Sequence, residues 1–212
     1  MADKILSKKS LGQNFLVDHN IARKIVALLD IKSEDYIIEV GPGTGILTQF
    51  FFDLKNNITA VELDQRCVEL LKRKCEKHAN VEIVHGDFVK LDLERLKINA
   101  KQEKWIGNLP YNITSSVLFK MLDSYPRVKR AVFMVQKEVG ERIVASKGNK
   151  SYGILSVLMQ SFYQSRLHFK VSNRVFRPQP KVASAVISFE LRTDSRIECP
   201  MPDYQELIKR LN

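Results

Sequence analysis

The stretch Tyr36-Ile-Ile-Glu-Val-Gly-Pro-Gly-Thr-Gly45 combines an apolar β-strand with a glycine-rich turn. In a parallel α/β sheet, such a turn lies beyond the carboxyl end of the strand, where nucleotides bind. Glycines let the backbone approach a ligand closely, and the N-terminus of a following helix can receive an anion. The sequence therefore predicts a helix after this turn and a ligand site at Gly41, Gly43 and Gly45.

Strand-like and helix-like segments alternate along the rest of the chain, a pattern typical of parallel sheets with crossover helices. Strands are predicted at residues 36–40, 58–63, 81–85, 104–107, 131–135, 167–171 and 183–191. Helices are predicted around an apolar stripe at residues 21–29 and over 65–78, 115–122 and 151–163. The predicted fold class is α/β, with a Rossmann-like, mostly parallel sheet of about seven strands and helices on both faces.

The composition is that of a globular protein. The chain has 212 residues, 44% of them apolar, and a net charge of +10. The longest apolar run, residues 131–135, is far shorter than the ~20 residues that span a bilayer, and the N-terminus carries charges where a signal peptide would be apolar. A cytoplasmic protein is expected. Cys67, Cys75 and Cys199 are expected to be incidental thiols, because they are odd in number and contain no Cys-x-x-Cys pair.

Positive charge is concentrated between Tyr125 and Lys181. This basic segment contains twelve Lys and Arg residues and only two acidic residues, Glu138 and Glu141. Contacts with phosphates release counterions and strengthen association, so a polyanion is the simplest partner for such a segment. The alternative interpretation is a solvated basic face.

Carboxylates follow the second and third predicted strands. Glu62 could accept hydrogen bonds from ribose hydroxyls, with Asp64 as the competing candidate. Asp87 could accept a hydrogen bond from an adenine amino group, with Phe88 adding an apolar contact, or it could cap the next segment. Ile46 occupies the third-glycine position of the dinucleotide fingerprint, which weakens a nicotinamide interpretation. Together these positions predict an adenosine-shaped slot without a pyrophosphate site.

The motif Asn108-Leu109-Pro110-Tyr111 indicates the reaction. An aromatic amine is a poor nucleophile because its lone pair is delocalised, so an enzyme must orient it. The Asn108 side-chain oxygen and the Leu109 carbonyl could each accept one N–H, Pro110 would fix the turn, and Tyr111 could stack on the base. Phe176, held in a Pro-x-Pro loop, is expected to form a second wall. The alternative is a strand-to-helix turn with asparagine as the cap and proline in the first helical turn.

These residues together resemble the KsgA/RsmA-type adenine dimethyltransferases of small-subunit ribosomal RNA. The resemblance spans residues 10 to 191. Its motifs are Gly12-Gln-Asn-Phe-Leu16, Glu39-Val-Gly-Pro-Gly-Thr-Gly45, Glu62-Leu-Asp64, Gly86-Asp87, Asn108-Leu-Pro-Tyr-Asn112 and Phe176-x-Pro-x-Pro-Lys-Val182.

The resemblance implies a class I methyltransferase that uses S-adenosyl-L-methionine and releases S-adenosyl-L-homocysteine. No metal is expected, because the cysteines form no Cys-x-x-Cys pair and have no clustered histidines. It implies cofactor contacts at Asn14, Leu16, Gly41, Glu62, Asp87 and Asn108. It also implies two methyl transfers to the amino group of each of two adjacent adenosines, in a hairpin loop near the 3′ end of 16S-type rRNA.

The resemblance further implies two parts: a catalytic domain of residues 1–192, and the start of a C-terminal helical domain, residues 193–212, that looks truncated. A monomer that acts on the small ribosomal subunit, without membrane contact, is expected. The alternatives are an Erm-type dimethylase of large-subunit rRNA, a DNA adenine methyltransferase, a Rossmann oxidoreductase and a non-catalytic RNA-binding assembly factor. Asn112 and the pattern from Phe176 to Lys181 favour the small-subunit type.

Overall fold

The computed structural model describes residues 5–96, 98, 102–194, 203 and 206. Within these residues the protein forms nine strands and five α-helices. The strands are β1 (Phe15–Leu16), β2 (Tyr36–Val40), β3 (Ile58–Glu62), β4 (Val81–His85), β5 (Glu103–Asn108), β6 (Val128–Gln136), β7 (Tyr163–Val171), β8 (Phe176–Arg177) and β9 (Ser184–Leu191). The helices are α1 (His19–Ala27), α2 (Gln65–Cys75), α3 (Thr114–Asp123), α4 (Lys137–Ile143) and α5 (Ile154–Phe162).

Seven of the strands form one mixed sheet in the order β4-β3-β2-β5-β6-β9-β7. Strands β4 to β6 in this order are parallel, and β9 and β7 add two antiparallel strands at one edge. The remaining two strands, β1 and β8, form a separate antiparallel ribbon in which Leu16 lies opposite Phe176. The predicted mostly parallel α/β sheet is confirmed, and the ribbon brings an N-terminal segment against a segment near the last strand.

The core lies on both faces of the sheet. Successive residues of a strand point to opposite faces, and the apolar centres of β5 (Trp105 and Ile106) and β6 (residues 131–135) are buried on both faces. Trp105 and Phe133 pack in one cluster with residues of α3 and α5. Ile106 and Val132 pack in the other cluster with residues of α1. Helices therefore cover both faces, and the ends of the strands remain open for a ligand.

The glycine-rich turn differs from its prediction. It leads into a short 3-10 helix, Thr48–Phe51, and not into an α-helix. The backbone φ is positive at all three glycines of the turn, Gly41, Gly43 and Gly45. Regular helix therefore cannot begin before residue 46. Residues 46–57 must then return to the start of β3, which leaves room for only a short helical turn.

Two further differences lie in the second half of the chain. Helix α4 was not predicted, because its centre contains Gly140, a poor helix former. A Cβ at Gly140 would lie 3.3 Å from the Cβ of Ala185, so this residue lets α4 pack closely on β9. The helix predicted over residues 151–163 begins only at Ile154, and Tyr163 already belongs to β7, because it pairs with Leu191 across the sheet.

Several expectations concern the ends and the thiols. Residues 193–212, expected to begin a C-terminal domain, lie almost entirely outside the described residues, as does Cys199. Cys67 and Cys75 are buried free thiols, and burial raises the pKa of both. No helix in the described part of the chain is long and apolar enough to cross a membrane.

Candidate active site

A cavity of about 250 Å³ opens at the carboxyl edge of the parallel strands. The loops that follow β2, β3, β4 and β5 line it, together with the N-terminal residues 10–16. Most of the predicted site residues meet in its wall. They are Asn14, Leu16, Gly41, Gly43, Glu62, Asp87, Phe88, Asn108, Leu109, Pro110 and Tyr111. Gly45 and Phe176 are not among the lining residues.

The Glu62 carboxylate holds the glycine-rich turn in place. Its Oε2 accepts the Gly43 N–H at 2.8 Å, and its Oε1 accepts the Asp64 N–H at 2.8 Å. Gly45 lets the turn pack closely on α2, because a Cβ there would lie 2.7 Å from the Leu71 side chain. The turn is therefore shaped by a strand-end carboxylate on one side and by a helix on the other.

Of the two ribose candidates, only Glu62 lines the cavity. Its side chain is nearly buried, and burial raises its pKa while the amide hydrogen bonds oppose this shift. Each of its oxygens has a second lone pair available for another donor. Asp64 instead caps α2 and binds the Arg66 guanidinium. The geometry favours Glu62 over Asp64 as an acceptor for a ligand in the cavity.

Asp87 and Phe88 form the far wall. The Asp87 side chain accepts the Val89 N–H at 3.0 Å, so it caps the turn that follows β4, as the alternative interpretation predicted. Asp87 also lines the cavity. The Phe88 ring is 4% exposed and packs edge-on against Trp105, with 5.2 Å between the ring centroids. Phe88 therefore anchors this wall in the core, and little of its ring is available to a ligand.

Asn108 lies at the end of β5 with its amide held in one orientation. Its Nδ2 donates to the backbone oxygen of Asn14 at 2.9 Å, so Oδ1 is left as the acceptor end of the side chain. The Leu109 N–H donates to the Met134 oxygen at 3.0 Å, which ties the turn to β6. The motif does lie in the turn between β5 and α3, but the N-cap of α3 is Ile113, so the capping role considered for Asn108 is wrong.

Tyr111 and Phe176 lie in different environments. The Tyr111 hydroxyl is hydrogen-bonded to the Ser184 hydroxyl at 3.0 Å, and burial raises the pKa of this tyrosine. Phe176 is 1% exposed and packs in the core cluster beside α1. Phe176 was predicted to form a wall of the base site, but its ring lies in the core. Burial of a large apolar ring in the core is more stabilising than its exposure in an open site. Phe15, from the partner strand of the ribbon, lines the cavity instead.

Glu39 is part of the motif of residues 39–45, but no role was predicted for its side chain. It lines the cavity, is 1% exposed, and its Oε2 has no hydrogen-bond partner among the described residues. Burial, with a smaller contribution from the Glu62 carboxylate, raises the pKa of Glu39 to about 8. The available signal was an acidic residue inside an otherwise apolar strand.

Replacing Glu39 with glutamine is expected to stabilise the ligand-free protein near pH 8. The carboxyl has a pKa of about 8 in the folded protein against an ordinary value of 4.5, so the folded protein binds an extra proton between these values. The free energy of unfolding of the wild type therefore falls as pH rises through this window, and levels off above it. Glu39→Gln lacks this slope, so its advantage should reach the order of a few kcal/mol.

Urea denaturation of both proteins at about pH 5 and about pH 8 measures the effect. The two free energies of unfolding should diverge as pH rises. Parallel pH dependences in the two proteins would contradict a protonated, buried Glu39.

The basic segment divides between two edges of the sheet. Arg127 and Arg130 lie at the edge opposite the cavity and pair with Glu94 and Glu190. On the cavity edge, the loop between β7 and β9 carries three exposed cations: Arg174, Arg177 and Lys181. The twelve basic residues therefore do not form one surface, and only part of the segment lies beside the cavity.

The sheet order, the glycine-rich turn after β2, the carboxylates after β3 and β4 and the Asn-Leu-Pro-Tyr motif after β5 define a class I methyltransferase. A family model described as ribosomal RNA adenine dimethylase matches residues 5–211. The chain belongs to the ribosomal RNA adenine dimethylase family.

Individual relatives agree with this assignment. Ribosomal RNA small subunit methyltransferase A of Francisella tularensis subsp. novicida is 42% identical over 211 residues, which cover 99% of this chain and 80% of that protein. The crystal structure of a dimethyladenosine transferase from Plasmodium falciparum is similar with a TM-score of 0.82 and 29% identity, covering 92% of this chain and 69% of that chain. The 23S rRNA methyltransferase ErmE is similar with a TM-score of 0.78 and 26% identity, covering 92% and 78% of the two chains.

Proposed function

We propose that this protein transfers methyl groups from S-adenosyl-L-methionine to the amino groups of two adjacent adenosines in a hairpin loop of small-subunit rRNA. The 42% identity to a small-subunit methyltransferase, against 26% to a 23S enzyme, supports this target over the Erm-type alternative. The observation that carries the chemistry is the hydrogen bond from Asn108 to the Asn14 carbonyl. It presents a fixed amide oxygen at the end of β5, where an amino group can be oriented.

The charge of the cavity wall supports the proposed cofactor. The acidic residues that line it are Glu39, Glu62 and Asp87, and none of the described lining residues is Lys or Arg. A pyrophosphate would be disfavoured beside the Glu62 and Asp87 carboxylates and would keep Glu39 protonated, whereas a sulfonium compound with an ammonium group carries positive charge that all three acidic groups can receive. The residues present thus fit S-adenosyl-L-methionine, which supplies an electrophilic methyl group.

Each carboxylate has a separate proposed role in holding the cofactor. Glu62 would accept hydrogen bonds from the ribose hydroxyls, and Asp87 would accept one from the adenine amino group. Glu39 would lose its proton when a cation lies beside it, because a positive charge favours the ionised carboxylate.

The proposed mechanism relies on orientation. Asn108 Oδ1 and the Leu109 carbonyl each accept one N–H of the target amine, so that its lone pair points at the methyl group. Tyr111, with its hydroxyl held by Ser184, stacks on the unstacked base. A bound S-adenosyl-L-methionine would supply the methyl group: its S–C bond would break as the new N–C bond forms, the displaced proton would pass to solvent, and S-adenosyl-L-homocysteine would be released. No side chain has to act as a strong base, because the amine becomes far more acidic after methylation and then loses its proton readily.

The exposed cations Arg174, Arg177 and Lys181 would bind RNA phosphates beside the cavity. Binding of the rRNA hairpin should weaken steeply with salt, by about one unit of log–log slope for each phosphate neutralised. A titration of the chain with this hairpin across a salt series measures the slope. A flat salt response would count against an RNA surface here.

The experiment that tests the proposed function is methyl transfer from labelled S-adenosyl-L-methionine to unmethylated small ribosomal subunits, followed by nucleoside analysis. Large subunits and duplex DNA serve as parallel substrates. We expect dimethyladenosine from small subunits only. Product from large subunits would favour the Erm-type activity, and cofactor binding without product would favour a non-catalytic RNA-binding factor.

A further inference from the structure

Asp64 is a buried carboxylate that the proposed mechanism does not use. It is 1% exposed, and the Arg66 guanidinium binds it at 3.0 and 2.6 Å. Its Oδ2 also accepts the Gln13 Nε2 at 3.0 Å, from a segment 51 residues earlier in the chain. Hydrogen bonds from Arg66 and Gln13 hold the pKa of Asp64 well below its usual range. The carboxylate is therefore ionised and can accept these bonds throughout the neutral pH range.

Gln13 belongs to an N-terminal strap, residues 8–16, that runs along the mouth of the cavity. The Gln13 side chain uses both ends, because its Oε1 accepts the Lys8 N–H at 2.8 Å while its Nε2 binds Asp64. Lys8 Nζ lies 3.6 Å from the same carboxylate. The strap residues 10–16 all line the cavity, so the position of the strap sets the shape of one wall.

The strap is anchored on both sides of Asn14. On one side, Gln13 is bound to Asp64 at the end of β3. On the other side, Leu16 pairs with the fully buried Phe176 in the β1–β8 ribbon. Asn14 lies between these anchors, and its backbone oxygen receives the Asn108 amide. The orientation of Asn108 therefore depends on two contacts that the strap makes elsewhere.

We infer that Gln13 and Asp64 are positioning residues for methyl transfer, because their hydrogen bond holds the strap where the Asn14 carbonyl orients the Asn108 amide. This inference rests on the proposed function. Neither side chain touches the reacting atoms. A charge-assisted hydrogen bond to a buried carboxylate is stronger than a neutral one, so this contact can hold a half-buried segment of chain that would otherwise fluctuate.

The first test is Gln13→Ala, which removes the strap's side-chain contact and leaves the Asp64–Arg66 pair intact. We expect kcat to fall at least about tenfold, since a displacement of about 1 Å can cost ~10²-fold. The KM for small subunits should change little, because the RNA surface is unaltered. The Kd of S-adenosyl-L-homocysteine, measured by calorimetry, should rise because the strap lines the cavity.

Gln160→Ala is the matched control. Gln160 is also half-buried, and its Nε2 donates to the carbonyls of Ile143 and Ala145 at 2.7 and 2.8 Å. It lies on α5 and does not line the cavity. This variant should lose stability without a change in kcat or in cofactor affinity. A Gln13→Ala variant that behaves like Gln160→Ala would overturn the inference.

A rescue experiment separates positioning from general damage. Gln13→Glu places a second carboxylate against Asp64 and should lower kcat more than alanine does. Asp64→Asn keeps the helix-capping Oδ1 but replaces Oδ2, which accepts both Gln13 Nε2 and Arg66 Nη2, with a donor. Combined with Gln13→Glu, it restores a hydrogen bond of reversed direction, so the double variant should exceed the Gln13→Glu single variant in kcat. Absence of this recovery would overturn the inference.

Wild-type measurements in the same series keep the two proposals distinct. Wild-type protein that binds S-adenosyl-L-homocysteine but does not methylate small subunits would refute the proposed function. The Kd values of the variants for S-adenosyl-L-homocysteine would then still test the role of the strap, because the loss of affinity should follow the same order as the loss of kcat predicted above. Normal wild-type turnover with unchanged kcat and Kd in Gln13→Ala would refute only the role of Gln13 and Asp64.

Discussion

Asn108→Ala is expected to reduce methyl transfer to small subunits by at least about 10²-fold, the scale seen when one preorganised polar group is removed from an active site. The alanine cannot accept an N–H from the target amine, so the lone pair loses its orientation. The cofactor keeps its proposed contacts with Glu62 and Asp87, so the Kd of S-adenosyl-L-homocysteine should rise only modestly. Single-turnover rates and calorimetry measure the two quantities independently.

Asn108→Asp separates the two functions of this side chain. The carboxylate keeps an acceptor, but it cannot donate to the Asn14 carbonyl, which lies 2.9 Å from the amide nitrogen in the wild type. We expect turnover to fall nearly as far as in Asn108→Ala, because the acceptor is no longer held in one orientation. Near-normal turnover in the alanine variant would remove Asn108 from the mechanism.

Gly107→Ala is expected to produce the largest loss of stability of any substitution considered. A Cβ at this position would lie 2.5 Å from the backbone oxygen of Val40 and 3.1 Å from the Leu109 side chain. Strands β2 and β5 are parallel neighbours at the centre of the sheet, so the backbone cannot yield without separating them. We expect a loss of about 3 kcal/mol or more, in the range that strained core substitutions produce.

Urea denaturation of Gly107→Ala and of Gly86→Ala provides the comparison. A Cβ at Gly86 would meet nothing within 4 Å, and this residue has no positive φ. Its replacement should therefore leave the free energy of unfolding within about 1 kcal/mol of the wild type. Equal stability of the two variants would show that the close approach of β2 and β5 is not maintained in solution.

The fold and most of the cavity wall could be predicted from the sequence because local patterns encode them. Apolar runs mark buried strands, and the residues after parallel strands necessarily meet at one edge of the sheet. Glu62, Asp87 and Asn108 lie at or just after the ends of β3, β4 and β5, and all three line the cavity. Helix α4 was not predicted, because Gly140 has a low helix propensity. In the structure the same glycine lets the helix pack closely on β9.

The placement of Phe176 and the orientation of Asn108 required the tertiary structure. A phenylalanine two and four residues before prolines looks the same in sequence whether its ring faces a ligand or the core; here its strand pairs with β1 and the ring lies in the core. The bond between Asn14 and Asn108 joins residues 94 apart in sequence. The sequence by itself therefore determined the sheet and the residues at its open edge, because these depend on periodicity and strand ends. Only the tertiary structure decided which side chains hold one another there, since long-range contacts depend on how distant segments dock.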